Sequence, residues 1–286
     1  MEYREMVLDD IVNIRTGKLN SNAAVENGEY VFFTCAPEPL RIDKYKYDQA
    51  AILLAGNNAD GNFHINYFEG KFEVYQRTYI IDSKDTEKYD LRYIFYALKE
   101  CLSEFKSMSQ GTSTKFLTMA ILKAFNLKIP DIDLQRKISQ ILLMIDEKIK
   151  CNNQINRNLS EQARSVYMET FGKFEKTKVL EDYPVKIYSG GTPSTSKKEY
   201  WEGGDIHWLS SGETANEFVT TTDKTITQLG VDNSSTKWAS KYDVVTASAG
   251  QGHTRGQTTM ILLNTCINQS VIVTHAGKED MPFIFF

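Results

Sequence analysis

The chain has 286 residues, 41% hydrophobic and 24% charged, with 17 glycines and 6 prolines, a composition that excludes disorder, collagen and a small disulfide scaffold and suits two modest domains. Apolar runs of about five residues, 141–145 among them, fall far short of the roughly 20 that span a bilayer, and Met1-Glu2-Tyr3-Arg4-Glu5 does not open a signal peptide, so a cytoplasmic protein with no membrane partner is expected. The net charge of −4 hides a gradient: residues 1–98 carry 11 basic and 16 acidic side chains, 99–178 carry 14 and 9, and 179–286 carry 8 and 12, so a basic middle lies between acidic flanks, which disfavours bulk polyanion binding and leaves room for a local basic stripe.

Taken in chain order, short segments rich in Val, Ile, Tyr and Phe and bounded by Gly, Asn and Asp predict strands at 30–33, 51–55 and 72–81. Residues 89–108 predict a helix, followed by the polar turn 109–114 and a second short helix. Lys128-Ile129-Pro130 closes this unit, because Pro130 cannot continue a helix and biases Ile129 to extended geometry. From Asp133, read as an N-cap, steps of four and three give Ile138, Leu142, Ile145, Ile149, Asn152, Asn156, Leu159, Ala163 and Val166. That heptad seam predicts a helix over 133–171, roughly 58 Å long at 1.5 Å per residue. Such a helix packs either on another helix, with the two asparagines setting register or partner, or back on its own domain. Further strands are predicted at 206–209, 243–246 and 266–274.

The chain also contains a degenerate duplication. Leu8-Asp9-Asp10, then Ile14, Thr16 and Gly17, recur as Leu180-Glu181-Asp182, then Ile187, Ser189 and Gly190. Residues 28–33 reappear as 204–209, 52–55 as 244–247, and Tyr75-Gln76-Arg77 as Asn268-Gln269-Ser270. The offset rises from 172 through 176 to about 192, which places an insertion of some 16 residues around 217–235. The predicted fold is therefore α+β: two β-rich domains in tandem, 1–130 and 179–286, joined by a long coiled-coil-type helix within 131–178.

No phosphate-binding loop, nucleophile elbow or zincin motif occurs, and His64, His207, His253 and His275 lie far apart. Cys35, Cys101, Cys151 and Cys266 form no C-x-x-C pair, which argues against zinc or a disulfide framework and predicts buried small hydrophobes. Trp201, Trp208 and Trp238 are expected in the core. Asp60 with Glu69-Gly70-Lys71 matches the Asp…Glu-x-Lys pattern of metal-dependent nucleases, but such a match is common by chance, a hairpin turn followed by a charged strand is the preferred account, and the second copy has no counterpart. More suggestive are glycine-rich polar loops at matching places in both copies, whose backbone donors, hydroxyls and cations suit phosphates and base edges. They single out Thr16, Lys18, Asn57, Asn58, Asn62 and Arg77 in the first copy, and Thr192, Ser248, Gln251, His253 and Arg255 in the second, as DNA-contact candidates.

The order and spacing of several motifs resemble the specificity subunit of type I restriction-modification enzymes. They are Leu8-Asp9-Asp10…Thr16-Gly17 with its repeat, Gln110-Gly111-Thr112-Ser113, Ile129-Pro130 before Gln135-Arg136-Lys137-Ile138, Asp146…Ile149…Leu159, Gly190-Gly191-Thr192-Pro193 and Ile267-Asn268-Gln269-Ser270-Val271. The resemblance implies two target-recognition domains, each reading half of a bipartite site in double-stranded DNA, and conserved helices that pair as an antiparallel coiled coil. It implies two methyltransferase subunits and an ATP-dependent restriction subunit as partners. The chain itself is then non-catalytic and holds no metal or other cofactor, while its partners use S-adenosylmethionine, ATP and Mg²⁺.

The long helix is expected to act as a ruler, with an upper limit of about 17 base pairs for the unread gap. Deleting whole turns should shorten that gap in a methylation map. The acidic domains predict that partner subunits supply much of the phosphate neutralisation. Aligning 91–96 with 281–286 leaves the second copy without counterparts of residues 97–171, about 75 in all, and with an apolar end at 282–286. A truncated product, a split partner, or a homodimer through the long helix would each account for this. Two readings stand beside the main one: a nuclease using Asp60, Glu69 and Lys71, and a helix-mediated interaction protein or non-functional remnant.

Overall fold

A computed structural model of the chain describes residues 3–173, 179–250, 254–277 and 284–285. The chain divides into two compact units, Met1–Gln154 and Ile155–Phe286, and the division falls inside the long helix rather than at either end of it.

The first unit opens with β1 (Arg4–Val7), α1 (Leu8–Ile11) and β2 (Val12–Thr16). Then come β3 (Tyr30–Phe33), β4 (Leu40–Ile42), β5 (Tyr47–Ala55), β6 (Asn57–Asn58), β7 (Ile65–Val74) and β8 (Thr78–Ser83). It continues through α2 (Leu91–Glu100), α3 (Leu102–Met108), β9 (Lys115–Phe116), α4 (Met119–Lys123) and β10 (Asn126–Ile129). Six strands form one sheet in the order β2-β8-β5-β7-β3-β4, antiparallel except for the parallel pair β3 and β7. Strand β5 is central because its apolar run has no polar face to leave in water. Ile52 and Leu54 join Leu8, Ile11, Ile81, Ile94, Leu98 and Phe105 in one core, while Ala51 and Leu53 join Phe33, Phe72, Val74 and Ile80 in another.

Two expected elements are split. The strand expected over 72–81 is β7 and β8 with a turn at 75–77 between them, since β5 lies between the two strands and the chain must cross its end. The helix expected over 89–108 breaks at Cys101 (φ −86°, ψ 6°) into α2 and α3. Asp90 caps α2, its Oδ1 accepting from the Tyr93 amide at 2.7 Å.

The long helix, α5 (Ile132–Phe171), has 40 residues and is about 60 Å long. Its N-cap is Asp131 rather than Asp133: Asp131 Oδ1 accepts from the Leu134 amide at 3.0 Å. Of the heptad seam, Ile138 packs on the first unit's core, whereas Ile145, Ile149, Leu159 and Val166 are 49–63% exposed, and Asn152 and Asn156 are exposed with them.

In the second unit come β11 (Lys186–Ser189), β12 (Ile206–Leu209), β13 (Phe218–Val219), β14 (Lys224–Ile226), α6 (Gln228–Asp232), β15 (Lys237–Ala239), β16 (Val244–Ala247), β17 (Thr258–Ile261), β18 (Thr265–Ile267) and β19 (Val271–His275). The strand expected over 266–274 is therefore also two strands, with a turn at 268–270. One sheet runs β11-β19-β16-β17-β13 and the other β14-β12-β18-β15. The duplication is visible in this topology: β11-β19-β16 repeats β2-β8-β5, and the parallel pair β12 and β18 repeats β3 and β7. Within the insertion β13 and α6 are additions, whereas β14 repeats β4, pairing antiparallel with β12 as β4 pairs with β3. Leu209, Val245, Ile261, Ile267 and Val273 form the core.

Burial departs from expectation at two kinds of residue. Trp208 is buried and Trp201 packs edge-on against it, but Trp238 on the edge strand β15 is 48% exposed. Of the cysteines only Cys266 is buried; Cys35 and Cys101 are half-buried, and Cys151 lies exposed on α5. Of the apolar end at 282–286, only residues 284 and 285 are among those described. Among the described residues no helix is long and apolar enough to cross a membrane.

Two half-buried phenols make the fold sensitive to alkali. Burial, and then its hydrogen bond to Asp146, pushes Tyr96 up to about 12; burial, and then the nearby Asp243 carboxylate, does the same for Tyr188. Their stabilising contribution is complete below the ordinary phenol value near 10 and is lost as pH rises toward about 12. Urea midpoints should therefore fall between pH 10 and 12, and the Tyr96→Phe/Tyr188→Phe double variant should show a shallower fall. An equal slope in the double variant would refute this assignment.

Candidate nucleic-acid interface

The first unit gathers its candidate residues at one end of the six-stranded sheet. Thr16 ends β2 opposite Tyr79, and the chain then passes Gly17, where a Cβ would lie 2.0 Å from the Val74 carbonyl oxygen, so only glycine permits the approach. Lys18 follows, exposed, and Leu19 bridges to Tyr75. The turn 75–77 is tied in turn to the Asn57 loop: the Gly56 amide donates to the Arg77 carbonyl at 2.8 Å, and the Leu117 amide donates to the Gly56 carbonyl at 2.9 Å. Strands β6 and β9 pair Asn57 with Phe116 and Asn58 with Lys115, which brings the 109–116 segment alongside.

Four loops distant in sequence thus meet, and they bring cations. Lys106 Nζ donates to Asn62 Oδ1 at 2.8 Å. The stems of Lys106 and Lys115 both lie against Gly61, whose φ of +72° bends the loop between them. The Arg77 guanidinium sits 5.8 Å from the ring centre of Phe116, an exposed aromatic. Among the described residues Lys18, Arg77, Lys106 and Lys115 take part in no ion pair, so their charge is available to a ligand. Asn58 has a shaping role, its side-chain oxygen accepting from the amides of Asp60 and Asn62. Periodicity does not reveal Lys106, Lys115 and Phe116, because the 109–114 turn reads only as a connection until β6 and β9 pair.

The second unit repeats the plan. A Cβ on Gly190 would lie 2.1 Å from the Ile267 carbonyl oxygen. Thr192 Oγ1 donates to Gln269 Oε1 at 2.5 Å, and the Ser248 amide donates to the Ser270 carbonyl at 2.9 Å. Residues 189–192, 248–250, 254–256 and 268–270 therefore converge, with Arg255 exposed; Gln251 and His253 lie outside the described residues. The seam residues Ile138, Leu142, Ile145, Ile149, Asn152, Asn156 and Leu159 are on α5 and belong to neither cluster.

The nuclease triplet is dispersed among other partners. Glu69 pairs with Arg92 at 3.4 Å, the Lys71 ammonium lies over the Tyr45 ring, and Asp60 sits in the Asn58 loop. Among the described residues no group of three or more His, Cys, Asp or Glu side chains is arranged to hold a metal.

This duplicated, loop-gathering fold with a long helix defines a class. Residues 1–161 match the family model described as the type I restriction modification DNA specificity domain. The chain therefore belongs to the family of type I restriction-modification specificity subunits. It is 29% identical over 142 residues to the type I restriction enzyme EcoDI specificity subunit of Escherichia coli, which covers 50% of this chain and 31% of that protein. To the EcoR124I/EcoR124II specificity subunit of the same organism it is 24% identical over 203 residues, 68% of this chain and 48% of that one. The chain thus spans less than half the length of these two curated relatives. The crystal structure of a type I system S subunit from M. genitalium superposes with a TM-score of 0.63 at 15% identity, covering 99% of this chain and 75% of that one, which shows a shared fold.

Proposed function

We propose that the chain reads DNA sequence as the non-catalytic specificity component of a type I restriction-modification enzyme, one loop cluster per unit facing one half of a bipartite site. The observation that carries this reading is the convergence of Lys18, Arg77, Lys106 and Lys115, none in an ion pair among the described residues, on polar loops at the sheet end, with a matching cluster in the duplicated unit. Cations outside any ion pair among the described residues suit phosphates, and exposed amides and hydroxyls beside them suit base edges. The exposed apolar stripe of α5 suits docking of methyltransferase and restriction subunits or pairing with a second copy. S-adenosylmethionine, ATP and Mg²⁺ would then be bound by those partners.

The test is selection from a random duplex library by the purified full chain, alone and co-expressed with a methyltransferase subunit. A two-part consensus is expected, read more tightly by the complex. Recovery of unenriched sequence from both preparations would sink the reading. Mg²⁺-dependent cleavage abolished by Glu69→Ala would replace it with the nuclease.

A further inference from the structure

The duplicated loop clusters share one side chain in one place. Gly17 approaches the carbonyl of Val74, and Gly190 approaches that of Ile267. Two residues beyond each of those carbonyls stands a glutamine, Gln76 and Gln269, exposed at the tip of the turn. Each is tethered through one amide atom to the loop that follows the glycine. Gln76 Nε2 donates to Asn20 Oδ1 at 2.7 Å, and Gln269 Oε1 accepts from Thr192 Oγ1 at 2.5 Å. The tether differs in chemistry and direction while the amide it orients is the same. A device that only closed the loop would need no common residue.

The tethers leave the reading capacity of both amides intact. Gln76 keeps its oxygen and the second hydrogen of its nitrogen. Gln269 keeps both hydrogens and a second lone pair. A side-chain amide with one donor and one acceptor free is the complement of the adenine edge in the major groove, where N7 accepts and the N6 amino group donates. Its neighbours differ between the units: Arg77 follows Gln76, whereas Ser270 follows Gln269. We infer that Gln76 and Gln269 are equivalent base-contacting residues, each held ready by its loop tether to read an adenine in its own half of the site. This rests on the DNA-recognition reading above.

The experiment is library selection by the full chain carrying Gln76→Glu, Gln269→Glu or Thr192→Val, each first checked for a wild-type thermal melt. Glutamate loses the donor and accepts from the cytosine amino group instead. Gln76→Glu should lower the preference for adenine at one position of one half by roughly tenfold or more, in favour of cytosine, and leave the other half unchanged. Gln269→Glu should do the same in the opposite half. Thr192→Val removes only the tether and should weaken selection at the Gln269 position without changing the preferred base. If the glutamate variants select the wild-type consensus undiminished, or alter both halves alike, the assignment is overturned while DNA recognition stands. If the wild-type chain selects no sequence, both fall together. Should a glutamate variant melt early, Gln76→Met and Gln269→Met, which keep the length and remove the amide, give the same half-specific readout.

Discussion

Replacing Gln135 with leucine should destabilise the first unit by about 3 kcal/mol. Gln135 is 1% exposed, and its amide is fully engaged: Nε2 donates to the carbonyls of Lys88 and Pro130 at 3.1 and 2.9 Å, and Oε1 accepts from the Asp90 amide at 2.9 Å. It thereby ties the first turn of α5 both to the residue that caps α2 and to the proline that ends β10. Leucine fills a similar volume but leaves three backbone groups without this partner, each costing about 1–3 kcal/mol when buried. The sum is not additive, because the junction opens and admits water. Urea unfolding of the full chain should show the first unit's transition at lower denaturant with little change in slope. A shift worth under about 0.5 kcal/mol, the size of an ordinary surface substitution, would mean that the junction is held by packing alone.

Removing three of the four cations at the first loop cluster, Arg77→Ala/Lys106→Ala/Lys115→Ala, should weaken duplex binding by about several-hundred-fold at 0.1 M salt. Each lost phosphate contact lowers the slope of log affinity against log salt by about 0.9, so that slope should fall by nearly 3. Taking the same number of charges from α5 at Lys137, Lys148 and Lys150 provides the control, since those exposed side chains lie outside both loop clusters. Equal losses from the two triple variants would show that binding follows total charge rather than the cluster. Arg77 should also carry an effect beyond charge, because its guanidinium lies over the Phe116 ring and fixes that aromatic at the tip of the interface. Arg77→Lys, which keeps the charge but not the planar stacking group, is expected to restore the salt slope but only part of the affinity.

Sequence patterning was most reliable where an element is self-contained. The seam of α5, the apolar run of β5 and the order of strands in each copy are written in local periodicity, and the glycines at 17 and 190 mark the same close approach in both units. Local patterning failed at boundaries set by distant neighbours. The 72–81 and 266–274 stretches read as continuous strands because nothing within them shows that the chain must leave its neighbour and cross to another. Asp131 rather than Asp133 caps α5 because Gln135, two positions beyond Asp133, is bound to Lys88, Asp90 and Pro130.

What the sequence by itself determined is the family, the duplication and the loops that carry polar residues, because these depend on residue types and their order along the chain. Which side chains share a surface was decided only by the tertiary structure. Lys106 and Lys115 meet Asn62 and Arg77 through the pairing of β6 with β9, a contact between segments more than 50 residues apart that no local pattern encodes. The same holds for Gln76 and Gln269. As letters they are two glutamines in an aligned triplet, and their common tether appears only when a glycine brings its loop against the carbonyl two residues before each of them.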